Sequence, residues 1–317
     1  VHLRGMLEGN LTEVTEFVLR GFTDSPQVRA LLFTLLLLIY TASLVGNLTI
    51  ITLTQVDSRL QTPMYFFLCN LSFIDITYSS AIAPKTLANL LAKKKVISLP
   101  GCAAQFFLHS FSINAEVVLL AVMAYDRFVS VCNPLRYALL MSRQECSRLV
   151  SVSYLCGCIS SVAHTASLFS LSFCRSRVID HFFCDIPALQ QLSCSDTRFA
   201  HRVHVAFAAA AGSGTVSAIL ISYLCIIFAV LQIRAARDRW KAFSTCASHL
   251  SAVTLFYGTL FFIYLRSVPS SSANQCKVAA VFYTLVIPAV NPLIYSLRNR
   301  EVKDALRRVI LKALVHK

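Results

Sequence analysis

Charged residues are scarce in this chain of 317 residues, and their scarcity excludes an ordinary soluble protein. Only 14% of the residues are Asp, Glu, Lys or Arg, while 56% are hydrophobic and the mean hydropathy is +0.65. Soluble domains carry about 25% charged residues. The sequence also lacks internal repeats, low-complexity tracts and any linker-like spacer. We therefore interpret it as one domain that crosses a membrane several times.

The few charges are spread unevenly, and five long segments have none. These segments are residues 30–56, 149–174, 203–233, 242–265 and 278–297. A helix that crosses a bilayer needs about 20 mostly apolar residues, because each residue advances about 1.5 Å through a core about 30 Å thick. Each charge-free segment is therefore long enough to be a span.

Two further apolar segments each contain a single acid. Asp75 is the only charged residue in 60–84, and Glu116 is the only one in 96–125. Counting both segments gives seven spans. The expected fold is all-α: a seven-transmembrane helix bundle over residues 29–298, with an N-terminal tail over 1–28 and a short amphipathic helix over 299–317.

An odd number of spans puts the two termini on opposite faces of the membrane. Asn10-Leu11-Thr12 is an acceptor sequence for N-glycosylation, which predicts a glycosylated, extracellular tail. The Lys and Arg residues are weakly biased towards the loops that this orientation places in the cytoplasm. We expect a multi-pass protein of the plasma membrane with a cytoplasmic C-terminus, whose first span serves as its targeting signal.

The residues that follow Arg298 predict a helix on the membrane surface. Apolar side chains recur there at helical spacing, at Val302, Leu306, Val309, Ile310 and Ala313. Basic residues occupy the other positions, so we expect a basic amphipathic helix on the inner leaflet. The net charge of +14 is explained in the same way, by attraction to anionic lipid rather than to nucleic acid.

Four cysteines fall on the expected outer side, where disulfides persist. They are Cys102, Cys174, Cys184 and Cys194. Four cysteines allow three pairings, and their spacing alone does not choose between them.

Asp75 and Glu116 are the most informative charges, because both lie deep in a span. Asp75 is about 18 Å along the helix from Pro63, and Glu116 is about 16 Å from Arg127. An ionisable group at that depth costs about 2.5–3.5 kcal/mol and is a functional candidate. Three uses compete: a proton relay, a cation site and a structural pair that shares a proton. A catalytic pair is disfavoured, since no nucleophile or metal-binding histidine pair lies nearby in the sequence.

The last span supplies a further polar group near the two acids. Pro292 lacks an amide hydrogen and crowds the carbonyl of Pro288, so a kink is expected around Asn291. Asn291 is expected either to bind the freed backbone or to join the acids. With Asp75 and Glu116 it forms a candidate oxygen site for a sodium ion, and we expect no other cofactor.

Asp126 and Arg127 stand side by side at the inner end of the third span. Their position fits two interpretations, a pair at the membrane interface that reaches into the headgroups and a charged switch. The sequence pattern leaves both open.

Six motifs taken together decide the class of protein. They are GN at 46–47, TPMYFFLCNLSFID at 62–75, MAYDRFVSVCNPLRY at 123–137, SY at 222–223, KAFSTCASHL at 241–250 and NPLIYSLRN at 291–299. In this order they resemble vertebrate odorant receptors, which belong to the rhodopsin-like G-protein-coupled receptors. The resemblance covers the chain from about Asn10 to the tail.

This resemblance implies a receptor rather than an enzyme, with a defined switch and defined disulfides. It implies that Asp126 and Arg127 hold the inner face closed until a G protein docks, together with Tyr223 and Tyr295. Phe128 stands where the family usually has Tyr, and the acid–base pair is intact. The implied disulfides are Cys102–Cys184 and Cys174–Cys194.

The resemblance also implies a site for a small, largely apolar odorant in the outer half of the bundle. Helix geometry gives the candidates there: His109, Ser110, Ile113 and Asn114 on one face of the third span, Phe207 in the fifth, Tyr257, Phe261 and Tyr264 in the sixth, and Thr284 in the seventh. An aromatic stripe of this kind more often serves packing, and the family analogy favours the pocket. The implied partners are a stimulatory G protein that raises cyclic AMP and receptor-trafficking proteins.

A transporter that uses Asp75 and Glu116 is the alternative function. Carriers more often show repeats or broken helices in both halves of the chain, and neither is evident in this sequence.

Overall fold

The computed structural model describes residues 14–23, 25–266, 273–298 and 300–315. The helices in this part of the chain are α1 (Pro26–Val56), α2 (Pro63–Leu91), α3 (Leu99–Cys132), α4 (Tyr137–Leu140), α5 (Arg143–Phe169), α6 (Ile186–Gln191), α7 (Arg198–Gln232), α8 (Ala236–Arg266), α9 (Ala273–Val281), α10 (Ile287–Arg298) and α11 (Arg300–Val315). The strands are β1 (Glu16–Leu19), β2 (Val96–Ser98) and β3 (Val178–Ile179). A π-helical segment, Phe282–Val286, joins α9 to α10.

The helices form the seven-helix bundle that the sequence predicts. Six spans in the described residues are long and apolar enough to cross a membrane: α1, α2, α3, α5, α7 and the stretch Gln275–Tyr295 that runs from α9 into α10. The seventh is α8, whose apolar part, Cys246–Phe261, is shorter. The first helix begins at Pro26, three residues before the predicted start at 29, because proline fits the first helical turn.

Helix α3 lies at the centre of the bundle and α1 at its edge. In the most apolar stretch of α3, 67% of the residues are buried, against 11% in α1. The chain therefore places its third span where side chains from most other helices can reach it. The outward face of α1 is apolar, as expected for a helix that contacts lipid.

A small sheet that the sequence did not predict covers one end of the bundle. Strand β1 pairs antiparallel with β2 and parallel with β3. Phe17 and Leu19 on its inner face are 0% and 1% exposed, and they pack in one cluster with Cys102 and Cys184. Part of the N-terminal tail is thus folded onto the bundle.

Two disulfides lie at the same end. Cys102 at the start of α3 is bonded to Cys184, with their Cα atoms 5.7 Å apart. Cys174 is bonded to Cys194, with a Cα–Cα distance of 5.8 Å. This is the pairing that the resemblance implies. We call this the disulfide end, and we call the other, which carries Asp126 and Arg127, the switch end.

Helix α11 is attached to the switch end by polar contacts as well as by its apolar face. Val302 is 4% exposed, as expected for the buried side of an amphipathic helix. The Arg308 guanidinium donates to Asp57 at 2.6 Å and holds the pKa of that carboxyl below its usual value. Tyr65 at the start of α2 donates to Glu301 at 2.7 Å. These contacts fix α11 against the connection between α1 and α2.

The last span contains a π-helical segment ahead of α10 and a proline inside α10. Helix α10 continues through Pro292, while the preceding turn is π-helical. Because Pro292 has no amide hydrogen, the carbonyl of Pro288 lacks its usual partner. Asn47 Nδ2 donates to that carbonyl at 2.9 Å. A Cβ at Gly46 would lie 3.0 Å from Pro292, so glycine there allows α1 to approach α10.

Candidate functional site

His109 lies on α3 beneath the loop that follows β3. Its side chain is surrounded by aromatic rings, with ring centroids 5.3 Å from Tyr78, 5.2 Å from Phe183 and 6.1 Å from Tyr283. His109 is 7% exposed, and its Nδ1 has no hydrogen-bond partner in the described part of the chain. A buried polar atom without a partner is unusual and marks a place where a ligand or water can bind.

The next residue joins α3 to a pair of histidines. Ser110 Oγ lies 3.1 Å from His164 Nδ1 on α5. The His164 ring is 5.2 Å from the ring of His204 and 5.4 Å from that of Phe207, both on α7. Within the described residues, His164 Nε2 and His204 Nδ1 have no partner. We group Ser110, His164, His204 and Phe207 with His109, which precedes Ser110 on α3, under the name histidine site.

Sequence reasoning identified three members of the histidine site and missed two. His164 and His204 each lie in a charge-free segment, where a histidine is a rare polar group. That rarity was an available signal. The face that each helix turns towards α3 could not be predicted from the sequence, because it depends on contacts between distant parts of the chain.

Other predicted ligand residues are committed to bonds within the bundle. Asn114 Nδ2 donates to the Ser110 carbonyl one turn earlier, at 2.8 Å. The Tyr257 hydroxyl lies 2.7 Å from Thr215 Oγ1 and so links α8 to α7. Thr284 is 0% exposed, and its hydroxyl donates to the Ala280 carbonyl at 2.7 Å.

Three candidates differ in their surroundings. Ile113 is partly buried and packs between two hydrophobic clusters. Phe261 is 65% exposed on the outside of the bundle and is not part of the histidine site. The Tyr264 side chain lies outside the described residues, as does Asn10. The structure therefore links Ser110 to Phe207 through His164, and leaves Phe261 apart.

The two deep acids lie in the interior of the bundle with Asn291. Asp75 is 0% exposed and Glu116 is 1% exposed. Asn291 Nδ2 donates to the two oxygens of Asp75 at 3.0 and 3.3 Å, so Asn291 joins the acids. The Pro288 carbonyl that Pro292 leaves without a partner is bound by Asn47 instead. Glu116 Oε2, Asn291 Oδ1 and Asn47 Oδ1 have no partner among the described residues.

This group of oxygens fits a hard cation better than a transition metal. The described residues contain no cluster of three or more His, Cys, Asp or Glu side chains that could hold a metal ion. The donors present are carboxylate and amide oxygens, which are the ligands of hard cations.

Asp126 and Arg127 are buried, which argues against an interfacial pair reaching into the headgroups. Arg127 is 6% exposed and Asp126 is 1% exposed. The guanidinium donates to Asp126 Oδ2, and the Tyr137 hydroxyl donates to Oδ1 at 2.8 Å. Buried charges require partners of this kind, and breaking such a pair is costly.

The tyrosines assigned to the switch lie close to the same end. The Tyr223 hydroxyl on α7 is 2.7 Å from His249 Nδ1 on α8. His249 Nε2 is 3.1 Å from the Leu120 carbonyl on α3, so one imidazole connects three helices. Tyr295 is 6% exposed, and its hydroxyl has no partner in the ranges that the structure describes. His249 was not singled out from the sequence.

A further ion pair lies at the disulfide end. Lys277 Nζ on α9 donates to Asp180 Oδ1 at 2.8 Å, and the Lys277 side chain is 5% exposed. The hydrogen bond from Lys277 holds the pKa of Asp180 below its usual value. Burial lowers the pKa of the neighbouring His181 to about 3, so this imidazole is neutral at physiological pH.

Comparison with known proteins identifies the family. An olfactory receptor family profile matches residues 36–313. Olfactory receptor 5AP2 of Mus musculus is 52% identical over 97% of this chain and 97% of its own length. Olfactory receptor 5AP2 of Homo sapiens is 51% identical over 96% and 97%.

A solved structure supports the architecture independently. The crystal structure of squid rhodopsin superimposes with a TM-score of 0.74 over 92% of this chain and 87% of that one. The two sequences are only 16% identical, so this likeness concerns the fold alone. Together with the relatives of about half identity, it shows that the chain belongs to the olfactory receptor family and is a multi-pass membrane receptor, not an enzyme.

Proposed function

We propose that the chain binds a small, largely apolar odorant in the histidine site and activates a stimulatory G protein that raises cyclic AMP. The observation that carries the ligand part is that ring nitrogens on α3, α5 and α7 are buried without a partner in the described residues, and that Phe207 lies beside His164. Such a site offers an apolar surface with a few converging polar groups, which is the usual character of a small-molecule site.

The polar groups of the histidine site favour an uncharged ligand that carries a hydrogen-bonding oxygen. The imidazoles of His109 and His164 are 7% and 5% exposed, and a buried imidazole is more stable when it is neutral. Lys277, a buried basic side chain at the disulfide end, is already paired with Asp180. An alcohol, aldehyde, ketone or ester therefore fits these donors and acceptors better than a carboxylate or an amine.

The proposed coupling rests on the buried pair at the switch end. Arg127 is held by Asp126, and Asp126 is held in turn by Tyr137. A G protein that binds Arg127 only in an open state would shift the equilibrium between the closed and open states, by an amount set by its preference for the open one. When Arg127 leaves Asp126 in the open state, Tyr223 and Tyr295 are proposed to form contacts in place of that ion pair.

The experiment that tests coupling is Arg127→Ala in cells that also supply receptor-trafficking proteins. We expect ligand binding to persist and the cyclic AMP response to disappear. Arg148→Ala is the matched control, because the Arg148 side chain is 76% exposed and lies 3.8 Å from Glu145. An unchanged dose–response curve for Arg127→Ala would refute the proposed coupling, and ligand-driven flux of a substrate would favour the transporter.

The proposed orientation places the disulfide end outside the cell. Disulfides persist in oxidising compartments, and both bonds of the described residues lie at this end. Asn10 would then be glycosylated and α11 would lie on the cytoplasmic leaflet. Loss of a glycosidase-sensitive mobility shift in Asn10→Gln tests this assignment.

We also propose that Asp75, Glu116 and Asn291 hold a sodium ion. The support is that Glu116 Oε2 and Asn291 Oδ1, which have no partner in the described residues, lie in the interior with Asp75. A cation would relieve the repulsion between two acids that are buried side by side.

A further inference from the structure

The end of α8 opposite the disulfides carries two large aromatic side chains that the proposed function does not use. Trp240 is 70% exposed and Phe243 is 55% exposed. Their ring centroids are 6.2 Å apart with the planes inclined at 31°. Trp240 is the only tryptophan in the chain.

The periodicity of α8 shows which way these side chains face. His249, which connects α8 to α3 and α7, is 3% exposed. Trp240 precedes it by two and a half turns at about 3.6 residues per turn, and so lies on the opposite side of the helix. Phe243 and Phe261 are five full turns apart and share one face, and both are exposed. This face points away from the bundle.

The same spacing gives the depth of Trp240. At about 1.5 Å per residue, Phe243 and Phe261 are about 27 Å apart along α8, close to the thickness of a hydrocarbon core of about 30 Å. Trp240 lies one turn beyond Phe243. It therefore falls at the boundary between the acyl chains and the headgroups, where tryptophan is enriched because its ring is apolar and its N–H is polar.

The charges around Trp240 indicate the kind of lipid. The segment from 234 to 241 contains four basic residues and one acid, in the sequence RAARDRWK. Arg239 and Lys241 flank the tryptophan directly. Clusters of basic residues next to a span are attracted to anionic headgroups.

We propose that Trp240, with Phe243 and the adjacent basic residues, docks α8 into the interfacial layer of an anionic lipid leaflet. The contact anchors the end of the helix whose His249 holds α3 and α7 together at the switch end. Trp240 belongs neither to the histidine site nor to the Asp126–Arg127 pair. Only the identity of that leaflet as the cytoplasmic one rests on the proposed orientation.

The single indole makes a direct test available. The full-length receptor is reconstituted in nanodiscs whose lipids carry bromine either near the headgroup end or near the methyl end of the acyl chains, with or without phosphatidylserine. We expect tryptophan emission to be quenched roughly twofold more by the shallow bromine than by the deep one. Phosphatidylserine should shift the emission to shorter wavelength and reduce quenching by aqueous acrylamide.

Two variants serve as controls. Trp240→Phe reports the background signal and should leave surface display unchanged. Trp240→Phe combined with Phe243→Trp moves the indole one turn towards the acyl chains, so the deep bromine should gain effect. Arg239→Gln with Lys241→Gln should remove the effect of phosphatidylserine.

Three results would overturn the proposal. Quenching by acrylamide equal to that of the denatured chain would place Trp240 in water. Protection from both bromine and acrylamide would show that Trp240 is covered by protein. Equal quenching at both bromine depths would show that Trp240 does not lie at the interface. None of these measurements needs a ligand, so failure here leaves the receptor function to be judged separately.

Discussion

Gly157 on α5 provides the sharpest test of the packing around α3. A Cβ at this position would lie 2.9 Å from the Ala115 Cβ, 3.0 Å from the Phe111 carbonyl oxygen and 3.1 Å from the Ala115 amide nitrogen. Two of these atoms belong to the α3 backbone and cannot rotate away. Small residues at such crossings allow helices in a membrane to approach closely. Gly157→Ala should therefore force α3 and α5 apart.

The expected magnitude follows from two opposing effects. Alanine is about 1 kcal/mol more favourable than glycine in a helix, and overpacking a tight interface costs about 1–3 kcal/mol. Gly258→Ala on α8 shows the first effect alone, since nothing lies within 4 Å of a Cβ there, so the difference between the two variants isolates the cost of overpacking. The two variants should differ by about 1–3 kcal/mol, with Gly157→Ala the less stable.

The assay is the loss of monodisperse, detergent-solubilised receptor on heating. At about 2–4 °C per kcal/mol for chains of 150–250 residues, the difference between the variants should be several degrees. Ala115 precedes Glu116, so the agonist response of Gly157→Ala should change as well. Equal midpoints for Gly157→Ala and Gly258→Ala would refute the close packing that we describe.

Two other contacts at the disulfide end make separate predictions. Cys102→Ser should abolish surface display, measured with an N-terminal tag, whereas Cys156→Ser should not, because Cys156 is an exposed free thiol on α5; normal display of Cys102→Ser would contradict this. Asp180→Asn should lower stability by about 1–3 kcal/mol, since it leaves Lys277 buried without a charged partner. The folded pKa of Asp180 lies below 3.8, so the wild-type contribution should be constant from pH 8 to about pH 5 and lost only as the pH falls through that folded pKa. A loss that begins near neutral pH would be the contrary result.

The spans could be predicted because the bilayer acts as a strict and local constraint. Runs without charge determine where a helix can cross. Four of the five charge-free runs lie mainly within a single helix, and the run 278–297 passes from α9 through the π-helical segment into α10. The deep acids were found by the same logic, since a carboxyl at that depth is rare. The pairing of Asn47 with the Pro288 carbonyl could not be predicted, because it joins residues at opposite ends of the sequence.

The ligand candidates show where helical periodicity stops being informative. Tyr257 and Phe261 have the spacing of one face, but each step of four residues turns by about 40°. Tyr257 therefore reaches Thr215, whereas Phe261 points outwards and is 65% exposed. His204 was missed for the same reason, since its orientation depends on the rotation of α7 against α5.

The sheet at the disulfide end could not be predicted from the sequence because its strands are short. Strand β1 has four residues and β3 has two, which is too few for alternation to be distinguished from chance. The sheet exists because three separate segments meet over α3, close to Cys102. Its stability thus depends on the tertiary arrangement rather than on local preference.

Asp75 and Glu116 make the last prediction, because their surroundings demand a positive charge or a proton. Both acids are at most 1% exposed, and two bare carboxylates would repel strongly in a medium of low dielectric constant. Asn291 donates to Asp75 but carries no charge. We expect a sodium ion to satisfy the group in the closed state and so to lower agonist potency.

The effect of sodium is limited by its preference for one state. A coupling of about 1–3 kcal/mol corresponds to about 5–150-fold in potency. The measurement is agonist titration in membranes with sodium replaced by a bulky organic cation at constant ionic strength. Glu116→Gln should weaken the effect, and Glu145→Gln, which changes an exposed acid at the start of α5, should not. Identical wild-type potency in both salts would reject the cation, and a proton shared by Asp75 and Glu116 would then account for the burial of both acids.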